Sequence, residues 1–202
     1  VRKIERPDDL IPAFREAKEA SISGKLVIEE FMEGPELSLD ALVYNDTIHI
    51  TGVADRIIER SPYFVEVGHT LPSNLPENQV KETMDVFKQA IRALGINTGA
   101  AKGDIKFTSE GPKIVEIAAR LSGGWMSAYT YPLSSGVNLY KAAIQVALGE
   151  EPDGLKPKTS LVAAERSLIP APGKILSIRG VEEARKIKGV REIILMKEAG
   201  EW

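Results

Sequence analysis

The chain has 202 residues, 43% of them hydrophobic and 27% charged, enough for one large domain or a domain plus a small lobe and too apolar for disorder. A net charge of −3 with both signs interspersed offers nucleic acid no basic stripe, and no apolar run approaches the ~18 residues of a membrane span. The absence of cysteine excludes a disulfide scaffold, a thiolate nucleophile and a cysteine-bound zinc, so with no signal-peptide shape at Val1-Arg2-Lys3 a soluble cytoplasmic protein is expected.

In chain order, residues 8–20 read as a helix capped by Asp8 or Asp9, with Leu10, Phe14 and Ala17 on one face. Strands are expected at about 25–31, 37–44 and 47–58, the last two joined by the turn-favouring pair Asn45-Asp46. Residues 60–76, holding Pro62, Gly68, Pro72 and Pro76, read as a loop long enough to suggest function. Val80, Met84, Phe87, Ile91 and Leu94 recur at spacings of four and three and mark a helix that Gly95 ends. Strands at about 98–108 and 113–118, a turn at Ser122-Gly123-Gly124 and a helix at about 137–148 follow. Pro152 to Lys158 reads as a linker, and a β-β-α-β pattern comes after it, at about 159–166, 174–178, 181–188 and 191–197. The expected organisation is an α+β core over residues 1–152 and a small C-terminal lobe over 153–202.

Two acidic segments carry the chemistry. In the first, Glu29-Glu30-Phe31-Met32-Glu33 crosses Gly34-Pro35 and resumes at Glu36, so carboxylates flank a tight bend between two extended stretches. Such a bend can present one carboxylate to the adenine amino group, the backbone near Met32 to the ring edge and a second carboxylate to ribose hydroxyls. An ordinary acidic hairpin is the alternative.

The second acidic segment runs from Gly103 to Arg120. With Ser109-Glu110-Gly111 as a three-residue loop, Thr108 faces Pro112, Lys106 faces Ile114 and Asp104 faces Glu116. Opposed carboxylates on one face repel unless a cation lies between them, and magnesium suits that place; a solvated face neutralised by Lys106 is the alternative.

Glu29-Glu30-Phe31-Met32 with Gly34-Pro35-Glu36, then Asp104 and Glu116-Ile117-Ala118-Ala119-Arg120, resembles the ATP-grasp superfamily of carboxylate–amine ligases. Phe64-Val65-Glu66-Val67-Gly68-His69 and the nearby Trp125 resemble its L-amino-acid (dipeptide-forming) ligases, and the likeness extends to the C-terminal lobe from Ile169 to Ile193. The resemblance implies an ATP-grasp fold of antiparallel sheets with flanking helices. It implies that Glu29, Glu30 and Met32 hold adenine, Glu36 holds ribose, and Asp104 and Glu116 hold magnesium or manganese. Arg120 would contact phosphate; Arg56, on the strand before the long loop, is a candidate for a further phosphate contact, with an ordinary exposed surface Arg as the alternative.

Glu66 and His69 are candidates for binding or deprotonating a substrate ammonium, His69 because a near-neutral imidazole suits that task. A structural His in a Gly/Pro loop is the alternative for His69. Gly123, Gly124 and Trp125 are candidates for the substrate pocket, against a plain turn with a packed Trp. Ala118 stands where many members of the superfamily place an Asn that touches the metal, which removes one ligand. No Gly-rich phosphate loop lies within residues 1–25, so the chain is expected to be the C-terminal part of a longer enzyme and inactive alone.

The reaction implied by the resemblance is ATP-dependent formation of an amide-type bond between a small carboxylate, such as an amino acid, and an amine, in a homodimer. Chemistry of the carbamoyl-phosphate synthase or biotin carboxylase type, or a non-catalytic ATP-binding subunit, are the alternatives.

Overall fold

Asn45 and Asp46, both left-handed at φ 47° and 64°, turn the chain between β1 (Glu36–Tyr44) and β2 (Thr47–Glu59). A two-residue turn with positive φ at both positions matches the right-handed twist of the strands it joins, which is why Asn and Asp sit there. In the computed structural model, which describes residues 1–202, these strands are central to one antiparallel six-stranded sheet. Its other members are β3 (Val65–Leu71), β4 (Gly99–Thr108), β5 (Gly111–Ala118) and β6 (Ala163–Arg166), and the spatial order is β5-β4-β1-β2-β3-β6.

β3 occupies the middle of the stretch 60–76 that was expected to be a loop. Pro62, Pro72 and Pro76 bracket this strand without interrupting it, so no ladder donor is lost. Gly68 admits the neighbouring β6, because a β-carbon there would run into the carbonyl oxygen of Glu165.

The strand expected at 25–31 does not form. Those residues join no ladder, and Val27 and Ile28 are 81% and 72% exposed, so the apolar run has nothing to pair with or pack on.

The helices form close to where their periodicity puts them, although Leu10 and Phe14 of the first one stay exposed. A 3-10 turn, Pro7–Asp9, leads into α1 (Leu10–Ala20), and α2 (Glu77–Ala93) buries Phe87 and Ile91. These two pack with Leu37, Leu39, Ala41, Val43 and Ile105 on one face of the sheet. A π-helical turn, Met126–Thr130, runs into α3 (Tyr131–Ser135), and α4 (Leu139–Ala147) follows, its first turn capped by the Asn138 side chain. Leu42, Ala54 and Leu71 on the opposite face pack against Met126, Tyr131, Leu139 and Ala142 of these segments.

That second face is apolar at one end and polar at the other. The register sets Glu36 beside Arg56 and Lys106, Ser38 beside Asp104, and Asp40 beside Lys102. The polar end therefore lies along the sheet next to the segment that precedes α3.

The ladder between β1 and β2 slips at Asp40/Ala41. There the Tyr131 hydroxyl accepts from the Asp40 backbone N–H at 3.1 Å and donates to the Gly52 carbonyl at 2.9 Å. Gly52 makes room for the ring, since a β-carbon on it would lie 3.2 Å from Tyr131 Cε1.

The chain divides into two compact units, Val1–Ser167 and Leu168–Trp202. The strand expected at 159–166 as the start of the small lobe is β6, which its ladder to β3 ties to the main sheet, so the division falls after Ser167. In the second unit, the helix expected at 181–188 is α5 (Val181–Arg185). The stretches 174–178 and 191–197 form no strand; backbone bonds instead tie Ile175 to Gly200 and Glu201.

Candidate functional site

β4 and β5 are joined by two residues, Ser109-Glu110, one fewer than expected. Thr108 therefore faces Gly111 and Lys106 faces Lys113, each one place from its expected partner. A bulge between Asp104 and Ile105 absorbs the difference: Ile105 faces Ile114, and Asp104 faces Glu116. The acidic opposition expected from the sequence is thus present, although the hairpin tip reaches it by a different register.

The two carboxylates sit in different surroundings. Asp104 is buried; its Oδ2 accepts from Lys102 Nζ and from Arg56 Nη1 at 2.9 Å, while its Oδ1 is buried with no partner. Glu116 has a side chain 56% exposed and only a 3.9 Å ion pair to Arg120.

Arg56 is the hub of this end of the sheet. Nη1 donates to Glu36 Oε1 at 2.5 Å and Nη2 to Glu66 Oε2 at 2.6 Å, while Nη1 also meets Asp104. Burial works against its charge, but Glu66, Asp104 and Glu36 outweigh that cost and raise its pKa further. The structure thus brings Glu36, Glu66 and Asp104, from three different strands, together around one guanidinium on a fourth. Beside it opens a cleft of about 420 Å³ whose wall includes Arg56, Glu66, Lys102, Arg120, Gly123 and Gly124.

A second cavity, about 210 Å³, lies between Glu30, Phe31, Met32 and Glu33 on one side and the hairpin tip Thr108–Glu110 with Lys113 on the other. Glu30 and Met32 are therefore where a planar base could be received, whereas Glu29 is exposed and outside the cavity wall. The Phe31 ring lies 5.5 Å from Phe64, with Lys3 and Lys106 ammonium groups 4.4 and 5.2 Å from its centre. The Phe107 N–H donates to the Pro35 carbonyl at 3.0 Å and binds the Gly34-Pro35 bend to β4.

His69 sits apart from the open surface. Its ring is fully buried, Nε2 lies 2.6 Å from Thr130 Oγ1, and Nδ1 has no hydrogen-bond partner, with Glu165 at 3.9 Å. Burial pushes its pKa below the ordinary value. Glu66, three residues earlier, lines the cleft; His69 does not.

Trp125 is 43% exposed, left-handed at φ 63°, and edge-on to Tyr129 at 5.6 Å. A bulky residue in that conformation is strained, and such strain concentrates at binding sites.

Lys102 and Ser38 belong to the same surface and escaped the sequence reading. Each lies two residues from a predicted site residue on its own strand, Lys102 from Asp104 and Ser38 from Glu36, so strand alternation would have found both.

The ATP-grasp domain family matches residues 1–129, which include both acidic segments, Arg56 and the cleft. The chain belongs to the ATP-grasp family. Over 179 residues it is 28% identical to the uncharacterized protein y4rH of Sinorhizobium fredii, covering 88% of this chain and 36% of that one. It is also 28% identical over 127 residues to carnosine synthase 1 of Homo sapiens, covering 63% of this chain and 15% of the synthase. This ATP-grasp chain thus spans little more than a third, or less, of these relatives. Among solved structures, the L-amino acid ligase of Bacillus licheniformis superposes with a TM-score of 0.85 at 23% identity, over 99% of this chain and 50% of that one. At that identity the likeness establishes the fold.

Proposed function

We propose that this ATP-grasp chain carries the nucleotide and phosphoryl-transfer site of an ATP- and magnesium-dependent carboxylate–amine ligase, acting through an acyl phosphate on an amino acid or similar small acid. The observation that carries this reading is the opposition of Asp104 and Glu116 across the β4–β5 ladder, with Asp104 Oδ1 buried and unpartnered.

Nowhere in the chain do three or more His, Asp or Glu side chains gather as a metal cage. Two carboxylates with an orphan oxygen fit magnesium, which is commonly held by one or two carboxylates together with substrate phosphates. When bound, the ion supplies neutralisation of phosphate charge.

The chain's own residues set up the rest. Glu30 and Met32 receive adenine between the first acidic segment and the hairpin tip, and Glu29, outside that cavity, takes no part. Glu36 accepts from the ribose, oriented by Arg56 and by Lys106 at 3.6 Å. Arg120, exposed at the cleft, donates to the transferring phosphoryl group.

A substrate carboxylate oxygen attacks the γ-phosphorus, the bond to the β-phosphate oxygen breaks, and ADP leaves. The amine then attacks the acyl carbon and expels inorganic phosphate. Arg56, whose Nη1 and Nη2 already meet three carboxylates, holds those carboxylates in place. Glu66 serves the substrate ammonium from the cleft wall. His69 reaches neither substrate, because its ring is buried.

Gly123 and Gly124 line the cleft and leave room beside their backbone for an acid with a side chain, with the half-exposed Trp125 next to them in sequence.

The test is magnesium-dependent ADP release by the full-length polypeptide across amino acids and small carboxylates. Stimulation by an amino acid supports the proposal. Turnover on bicarbonate alone, or nucleotide binding without any turnover, overturns it.

A further inference from the structure

Asp40, in the middle of β1, is fully buried and lies under the stretch Ser122–Ser127. Its Oδ1 accepts from the Ser122 backbone N–H at 2.9 Å and the Ser122 hydroxyl at 2.7 Å. Its Oδ2 accepts from the Ser127 hydroxyl, which also stands 3.1 Å from the Ser122 carbonyl. One carboxylate therefore holds both ends of a six-residue segment. Within that segment, Gly124 and Trp125 are both left-handed, at φ 57° and 63°, and Met126 N–H closes onto the Gly123 carbonyl at 3.0 Å.

The cost of this arrangement argues that it serves position. Burial raises the pKa of Asp40, and three donors plus the field of Lys102 counter that effect. An apolar residue would fill the site without a desolvation cost, so the carboxylate adds placement that packing would not. Its own backbone is fixed as well, because the Tyr131 hydroxyl completes the ladder between Asp40 and Gly52. The segment so held turns Gly123 and Gly124 to the cleft, and a β-carbon on either would meet no atom within 4 Å. A ligand has room to lie against that backbone.

We propose that Asp40 is the positioning residue of the acid-substrate pocket: it fixes Ser122–Ser127, and through it the place of Gly123, Gly124 and Trp125. This proposal rests on reading the cleft as a ligase substrate site. Asp40 takes no part in either acidic segment, so its effect falls on the amino-acid substrate and spares the nucleotide.

The hydrogen bonds identify the conservative variant. In Asp40→Asn the remaining carbonyl oxygen still accepts from Ser122, and the new amide donates to the Ser127 oxygen. The Ser127 proton then turns to the Ser122 carbonyl, already within reach. Asp40→Ala loses every one of these contacts.

The experiment uses the full-length polypeptide and its Asp40→Asn and Asp40→Ala variants. It measures KM and kcat for the stimulating amino acid, the dissociation constant of MgATP by calorimetry, and hydrogen exchange at Ser122–Ser127. Asp40→Ala should raise the amino-acid KM by about tenfold or more, change MgATP affinity less than about twofold, and speed exchange of the Ser122 amide by about tenfold. Asp40→Asn should stay within about threefold of the parent in each.

Equal losses in both variants, extending to MgATP binding, would make Asp40 an ordinary buried group and overturn the proposal. So would an unchanged KM in Asp40→Ala. If the parent shows no amino-acid-stimulated turnover, the ligase reading fails. Exchange at Ser122–Ser127, faster in Asp40→Ala alone, then supports Asp40 as the anchor of that segment, and unaltered exchange refutes it.

Discussion

Gly34 lies so close to the β4 backbone that a β-carbon on it would run into the Phe107 carbonyl oxygen and sit 2.9 Å from the Phe107 carbonyl carbon. Its φ of 134° is itself a region that side chains rarely adopt. The bend that leads from Met32 to Glu36 is therefore pressed onto the hairpin that carries Asp104. Gly34→Ala should cost about 2 kcal/mol or more and weaken nucleotide binding, because neither backbone can yield cheaply. Gly149→Ala, at φ 79° with open space around it, should cost only about 1 kcal/mol. Chemical denaturation of the three proteins, with calorimetric titration of MgATP, separates the two effects. Equal stabilities for the two variants would show that the Phe107 contact does not matter.

Arg56 is expected to be the costliest surface-reachable residue to remove. Its side chain is 14% exposed, and Arg56→Met would leave Glu36, Glu66 and Asp104 facing one another without the cation between them. The loss should be on the order of 3 kcal/mol, the range seen when one member of a buried ionic group is deleted. Raising the salt concentration should recover part of the deficit, since repulsion among the carboxylates drives it. A urea titration at low and high salt checks both statements, and a neutral outcome at low salt would contradict the hub role of Arg56.

Glu116 tests the metal assignment without the complication of unfolding. It is half exposed, and its pairing with Arg120 at 3.9 Å is solvent-screened, so Glu116→Ala should leave the unfolding midpoint unchanged within experimental error. Magnesium-dependent ADP release by the full-length polypeptide should nevertheless fall by a factor of about 100 or more. Normal turnover in that variant would mean that magnesium is held elsewhere.

His69 gives a pH dependence with a defined sign. Burial lowers its folded pKa below the ordinary 6.5, so the unfolded chain takes up the proton more readily. Stability from this residue is complete above about pH 6.5 and is lost as the pH falls from there towards the folded pKa. Glu66 opposes the shift, while Arg166 and Arg56 add to it. His69→Gln keeps a partner for Thr130 but cannot titrate. Comparing the two proteins at about pH 8 and about pH 5, the stability lost on acidification should be smaller in the variant. An identical loss in both would place the His69 pKa at its unfolded value.

The main elements were readable because their residues obey simple periods. Val80, Met84, Phe87 and Ile91 repeat as a helix, and Asn45-Asp46 announces a turn, so α2 and the β1–β2 hairpin lie close to where the pattern puts them. The two acidic segments were legible from turn and strand alternation, and family likeness gave their residues roles. What local pattern could not supply was pairing between distant segments. Nothing near Val27 and Ile28 says that no strand will come to meet them, and nothing near Val65 says that Ala163–Arg166 will. Asp40 was hidden for the same reason. On a strand it reads as one polar residue in an apolar run, and its partners, Ser122 and Ser127, lie more than eighty residues away. His69 shows the converse: a near-neutral group in a Gly/Pro-rich stretch suggested chemistry, but the fold packs it against Thr130.

The bulge between Asp104 and Ile105 has a wider consequence. In a plain antiparallel ladder, changing the turn by one residue would swap every downstream side chain to the opposite face. Here the two halves of the β4–β5 hairpin already run one step out of phase, and Val115 is the residue that takes up the slack. The tip that borders the smaller cavity and the carboxylate pair at the base are thus set by two different registers of one hairpin. The two-residue turn at Ser109-Glu110 and the opposition of Asp104 to Glu116 coexist only because that one unpaired residue lies between them.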